Sequence, residues 1–248
     1  MRKSLLALGV IAAAAAIPAQ AEYLYGFGGM YLDYQNWDHG TGKSQDNFGG
    51  DLKSRNKAVL GIEGGAGFDW GQIYGFYDYE GVDSASDKRG ASAKGTIHYN
   101  LMDTKVSLYA QVYNTNGVNF NEQNRVLGLG YTGLQGDGWA FTPFIGVHEI
   151  SQGSINGANG GMAGWVGFYN TELAGQSFTF STWGEYEFGR NEEYTAAQGG
   201  KTGWNGSVNA MWNVTKDWST GVLYRFTENK LGIKGYGDIL IYRVNYKF

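Results

Sequence analysis

The last nine residues, Leu240-Ile241-Tyr242-Arg243-Val244-Asn245-Tyr246-Lys247-Phe248, alternate from Tyr242 onward between two kinds of side chain. Successive side chains of a β-strand point to opposite faces. Leu240, Tyr242, Val244, Tyr246 and Phe248 therefore share one face, and Ile241, Arg243, Asn245 and Lys247 share the other. A soluble sandwich would bury the first set. A barrel in a bilayer turns it to lipid and leaves the charges in a watery interior.

Working back from this strand, the same alternation recurs. Trp204, Val208, Ala210, Trp212 and Val214 oppose Asn205, Ser207, Asn209 and Asn213. Phe178, Phe180, Tyr186 and Phe188 oppose Ser181, Trp183, Glu185 and Glu187. A line of serine and asparagine is costly in a dry core and natural beside water. The segments predict twelve strands, the first over 23–37 and the last over 237–248. Short connections, such as Phe68-Asp69-Trp70-Gly71 and Ala174-Gly175-Gln176, alternate strictly with longer ones. The longer ones are Asp38–Arg55, Val82–Ala91, Gly117–Asn124, Ser151–Gly160, Arg190–Thr202 and Lys230–Tyr236. The expected fold is all-β: a twelve-stranded antiparallel transmembrane barrel with short periplasmic turns and long external loops.

Composition agrees. The 248 residues hold 41 Gly, 2 Pro and no Cys, with 16% aromatic and 17% charged side chains. Collagen needs glycine at every third place and abundant proline. A disulfide scaffold needs cysteine, and a disordered chain would not carry 8 Trp, 18 Tyr and 13 Phe. The net charge of −4 does not suit a nucleic-acid polymer. Residues 1–21 read as a cleaved export signal: basic Arg2 and Lys3, an apolar run from Leu5 to Ile17, then Ala19-Gln20-Ala21. Residues 22–248 form one barrel domain, addressed to the outer membrane of a Gram-negative bacterium. Its surroundings are outer-membrane lipid and lipopolysaccharide. Trp70, Trp139 and Trp218 sit at short turns near Asp69, Asp137 and Asp217, as an interfacial girdle would.

Projecting the alternation inward gives the candidate lumen residues. Tyr25, Phe27, Tyr31 and Asp33 come from the first strand, Glu63 from the second, and Tyr74, Phe76, Asp78 and Glu80 from the third. Lys94, Thr96, His98, Asn100, Tyr109, Gln111, Phe144 and His148 follow. Trp183, Glu185, Glu187, Arg225 and Arg243 complete the set, with Gly128, Gly130, Gly146 and Gly167 leaving room beside the rings. Tyr74, Phe76, Asp78, Tyr31, Asp33, Trp183, Glu185, Arg225 and Arg243 are the expected solute-binding residues. Rings mixed with charge offer flat faces to planar solutes and polar groups to hold their edges.

Ile73-Tyr74-Gly75-Phe76-Tyr77-Asp78, followed by Ser84-Ala85-Ser86-Asp87-Lys88-Arg89-Gly90, resembles the nucleoside-specific channel family of Tsx and OmpK. Leu127-Gly128-Leu129-Gly130 and the aromatic terminal strand look similar too. The resemblance implies a monomeric barrel that passes nucleosides through a narrow lumen, with Tyr74, Phe76 and Asp78 as the positions carried over. Terminal Phe248 likewise resembles the signal read by the barrel assembly machinery.

Three other readings compete: a general small-solute porin, an adhesin or receptor acting through its loops, and a barrel hydrolase. A lipid hydrolase needs a Ser–His pair on its lipid-facing wall. His39 falls in a loop, and His98 and His148 point inward. The chain is expected not to be an enzyme, and to have no catalytic site, metal site or cofactor.

Overall fold

The alternating segments become strands because each has one face that favours lipid and one that favours water. A computed structural model describes residues 21–37, 55–117 and 120–248. The expected export signal, apart from Ala21, and the loop carrying Asp38 and His39 lie outside the described residues. In chain order the strands are β1 (Tyr23–Asn36), β2 (Lys57–Phe68), β3 (Gly71–Glu80), β4 (Gly90–Asn100), β5 (Val106–Gly117) and β6 (Phe120–Tyr131). Then come β7 (Leu134–Gly136), β8 (Trp139–Gln152), β9 (Ile155–Leu173) and β10 (Gln176–Phe188). A short helix α1 (Glu192–Gln198) precedes β11 (Thr202–Asn213), β12 (Trp218–Lys230) and β13 (Ile233–Lys247).

Every pairing is antiparallel, and sequence neighbours are sheet neighbours except β6 and β7. β1 pairs with β13, with Asp33 opposite Arg243. β6 and the short β7 both pair with β8. Pairing of β6 with β8 and of β1 with β13 closes a barrel of twelve staves, and closure removes the exposed edges that an open sheet would present.

The outer face is apolar and open. Leu127 is 62% exposed and Val147 69%, and Met30, Leu32, Leu60, Ile62, Leu108, Val208 and Val244 are also exposed. That much bare hydrocarbon would aggregate in water, and it is what a bilayer covers. The inner face carries the buried polar groups, among them Asp33, Gln111, Asn124, Glu187 and Asn209. This polar-in, apolar-out arrangement separates a membrane barrel from a sandwich.

The side of the short turns is ringed by aromatics. Trp70 stacks on Phe68 at 5.0 Å and on Tyr99 at 5.8 Å, and Trp218 leans on Tyr246 at 5.0 Å. Ala174 and Gly175, both at positive φ (51° and 73°), make the tight turn from β9 to β10. On the other side, three of the expected long connections are mostly strand. Gly117 pairs with Phe120, Gln152 with Ile155, and Lys230 with Ile233. A tilted stave needs only about ten residues to cross the bilayer. The surplus of strands such as β9, with 19 residues, stands beyond it as paired hairpin.

Candidate functional site

The inward face is identified by contacts that neighbouring staves cannot make. β4 and β10 stand on nearly opposite walls, yet Lys94 Nζ lies 2.5 Å from Glu185 Oε1. Gln111 of β5 donates to the same oxygen at 2.8 Å. Lys230 of β12 reaches across to Glu122 of β6 at 3.6 Å and pairs with Glu187 of β10. These bonds cross the inside of the barrel.

Register then places every expected solute-binding residue on the inner face. β1 supplies Tyr31 and Asp33, and β3 supplies Tyr74, Phe76 and Asp78. β10 contributes Trp183 and Glu185, β12 Arg225, and β13 Arg243. Five of them form two joined clusters. Arg243 grips Asp33 through two bonds, Nε to Oδ1 at 2.7 Å and an Nη to Oδ2 at 2.8 Å. Its other Nη lies 3.5 Å from Glu63, and its guanidinium carbon sits 3.6 Å from the Tyr31 ring centroid. Tyr31 donates to Asp78 at 2.5 Å, and Tyr74 donates to Glu63 at 2.7 Å. Trp183 lies apart from this group. Lys94 and Arg225 stand over its ring at 5.6 and 5.5 Å.

Aromatic rings continue from these clusters in a file. Phe27 stacks on Tyr74 at 6.2 Å, Tyr74 meets Phe76 at 6.4 Å, and Phe76 meets Tyr113 at 6.5 Å. Phe27 and Tyr25 share the inward face of β1 but are 53% and 47% exposed, so they line an open end near the short turns. Val166 and Phe168 are cross-strand partners of Trp183 and Ser181, which puts them on the inner face as well. They leave 54% and 43% of their surface uncovered.

Elsewhere the interior is filled. Tyr109, Val126, Phe144 and Met162 form one apolar cluster, with Tyr109 and Phe144 stacked at 4.1 Å. Trp37, Leu223, Ile233, Ile239 and Ile241 form another, against β12 and β13. At the external end the β10–β11 connection folds in. Asn191 accepts from Tyr194 N to start α1, and Tyr194 is wholly buried. Lys230 donates to the Tyr194 hydroxyl at 3.0 Å, and Gly232 N donates to Gln198 at 3.1 Å. Arg190 bonds Glu187 at 2.8 Å and the carbonyls of Gly200, Thr202 and Asn229. Burial above all raises the Tyr194 hydroxyl pKa beyond the ordinary phenol range, so it stays neutral beside the lysine.

The sequence reading missed Glu122, Asn124 and Lys230 because all three fall in stretches read as loops. Parity from Arg225 and Thr227 would also put Asn229 inside. A bulge between Glu228 and Lys230 turns Lys230 in instead. Gly167 is a correction: it pairs with Thr182 and a Cβ there would meet the Phe141 ring, which places it on the outer face. Another contact lay hidden too. Ser107 Oγ and His98 Nδ1 are 2.9 Å apart. Ser107 has no exposed surface, and the Tyr109 ring lies 4.7 Å from the imidazole, so a substrate has no approach to that pair. Among the described residues no three acidic or imidazole groups gather to hold a metal ion.

Residues 30–248 match the family model described as nucleoside-specific channel-forming protein, Tsx. Among solved structures, the NanC porin superposes with a TM-score of 0.52 at 10% identity, over 89% of this chain and 100% of that one. An outer-membrane channel from Pseudomonas putida F1 gives a TM-score of 0.43 at 14% identity, over 94% of this chain and 100% of that one. At such identities the first likeness speaks to the barrel fold.

Proposed function

The chain belongs to the family of nucleoside-specific channel-forming proteins that includes Tsx, and from that premise we propose that it admits nucleosides through the outer membrane. That it is an outer-membrane channel for small solutes follows from family and fold together. The observation supporting nucleosides is the file Phe27–Tyr74–Phe76–Tyr113, with Glu63 and Asp78 bonded at its side. A base can pass from ring to ring, and stacking on a protein aromatic is worth about 1–3 kcal/mol per base. Carboxylates beside the rings accept hydrogen bonds from ribose hydroxyls. A series of modest sites recruits a solute and still releases it. No step of this passage requires bond chemistry or a cofactor.

Planar-bilayer recording tests the reading. Nucleosides are expected to reduce a small ionic conductance in the wild type. Phe76→Ala should weaken that block about tenfold, the equivalent of one lost stacking contact, while the barrel keeps its folded mobility on a gel. A large conductance indifferent to nucleosides would instead identify a general porin.

A further inference from the structure

We propose that Arg225 is an anion-binding station in the lumen, taking the carboxylate or phosphate of a small acidic solute. The proposal rests on the channel reading and narrows the solutes such a channel recruits.

Apart from Glu172 beside the β9–β10 turn, the carboxylates that turn inward are already engaged. Asp33 and Glu63 face Arg243, and Asp78 accepts from Tyr31. Glu80 is held by Lys57, Glu185 by Lys94, and Glu122 and Glu187 by Lys230. Arg225 stands outside this scheme. Among the described residues no carboxylate lies within 4.0 Å of it, and its one described hydrogen bond runs from Nε to Asn205 Oδ1 at 3.1 Å. That bond and the Trp183 ring, 5.5 Å away, fix the plane of the guanidinium. The edge formed by its two terminal nitrogens is left to a ligand, and that edge matches a carboxylate or phosphate bidentately.

The wall around it strengthens the charge. Arg225 pairs across the sheet with Ile239 on one side and Ser207 on the other. Ile239, Leu223 and Ile241 belong to the buried apolar cluster. A cation beside hydrocarbon is less screened than one in bulk water, and its field is focused into the lumen. The field reaches Arg55, ahead of β2, which is pushed down to about 10 by burial first and by the charge of Arg225 second. Arg243 shows the contrast: a structural guanidinium in the same barrel carries its own bidentate carboxylate.

Bilayer recordings with uridine, uridine 5′-monophosphate, inorganic phosphate and acetate test this. In the wild type the monophosphate should block at about one-tenth of the uridine concentration, since a charge-assisted bond exceeds a neutral one by about 1.4 kcal/mol, or tenfold. Arg225→Gln should abolish the advantage and shift the reversal potential in a salt gradient toward cations. Arg225→Lys should keep the charge selectivity and lose part of the advantage. Phosphate acting without acetate assigns the site to phosphate esters, and both acting assigns it to acidic solutes generally. Equal block by uridine and its monophosphate, or an advantage that survives Arg225→Gln, overturns the proposal. Should Arg225→Gln fail to fold, the wild-type comparison and Arg225→Lys decide alone. Loss of uridine block throughout would count against the nucleoside reading, while the reversal potential would still judge the anion site.

Discussion

Glycine and aromatic residues are abundant for one shared reason, visible at single positions. The Tyr31 ring lies flat on Gly61, where an added Cβ would fall 2.1 Å from the ring and 2.6 Å from Asp78 Oδ1. Phe27 lies on Gly65 in the same way, Tyr25 on Gly67 and Phe144 on Gly164. Large side chains fit inside a narrow barrel by lying along the wall, and a glycine on the next strand provides the seat. Gly61→Ala should therefore eject Tyr31 and break its bond to Asp78, at a cost of about 1–3 kcal/mol in barrel stability. Urea unfolding in detergent micelles measures this. The cost should shrink in a Tyr31→Ala background, because the clash partner is then gone. Alternation alone was enough to place Tyr31 and Asp78 on the same face. Which glycine each ring would occupy was not legible, because seating depends on the register between strands.

The strands were readable as elements, and their outer ends were not. Ser151–Gly160 looks like a loop for its glycine and asparagine, yet it pairs into the β8–β9 hairpin. Polar overhangs beyond the bilayer lack the lipid-facing hydrophobic signal that marks the rest of each strand. The β10–β11 connection behaves differently from these hairpins. It carries α1 inward, plants Tyr194 in the interior and joins β9, through the Asn191 N to Asn159 bond of 2.9 Å, to the β12–β13 turn. Lys230 beneath it bridges nearly opposite walls. Together they roof part of the external mouth. Tyr194→Ala should open a larger single-channel conductance with more frequent flicker, read in the same bilayers. An unchanged current would mean that solutes pass beside this strap.

At the scale of the molecule, the barrel closes where its two ends meet. Phe248 N donates to Gly28 O at 3.1 Å, and the Phe248 ring covers Gly28 from the lipid side. This contact is small beside twelve paired staves, so its loss should not prevent closure. Phe248→Ala is expected to lower the amount of barrel in the outer membrane several-fold, while the purified chain refolds in detergent as well as wild type. Equal levels in cells would remove the terminal ring as an assembly signal.

By itself the sequence determined the class of fold, the number of staves and the facing of most side chains, though not of Gly167 or Lys230. All of these follow from a period-two pattern written locally along each strand. Only the tertiary structure decided the partners: Lys94 with Glu185, Lys230 with Glu122 and Glu187, and Arg225 with no carboxylate among the described residues. Those contacts join strands far apart in the chain. Their geometry depends on how closure, bulges and stagger bring opposite walls together, and no local pattern encodes that.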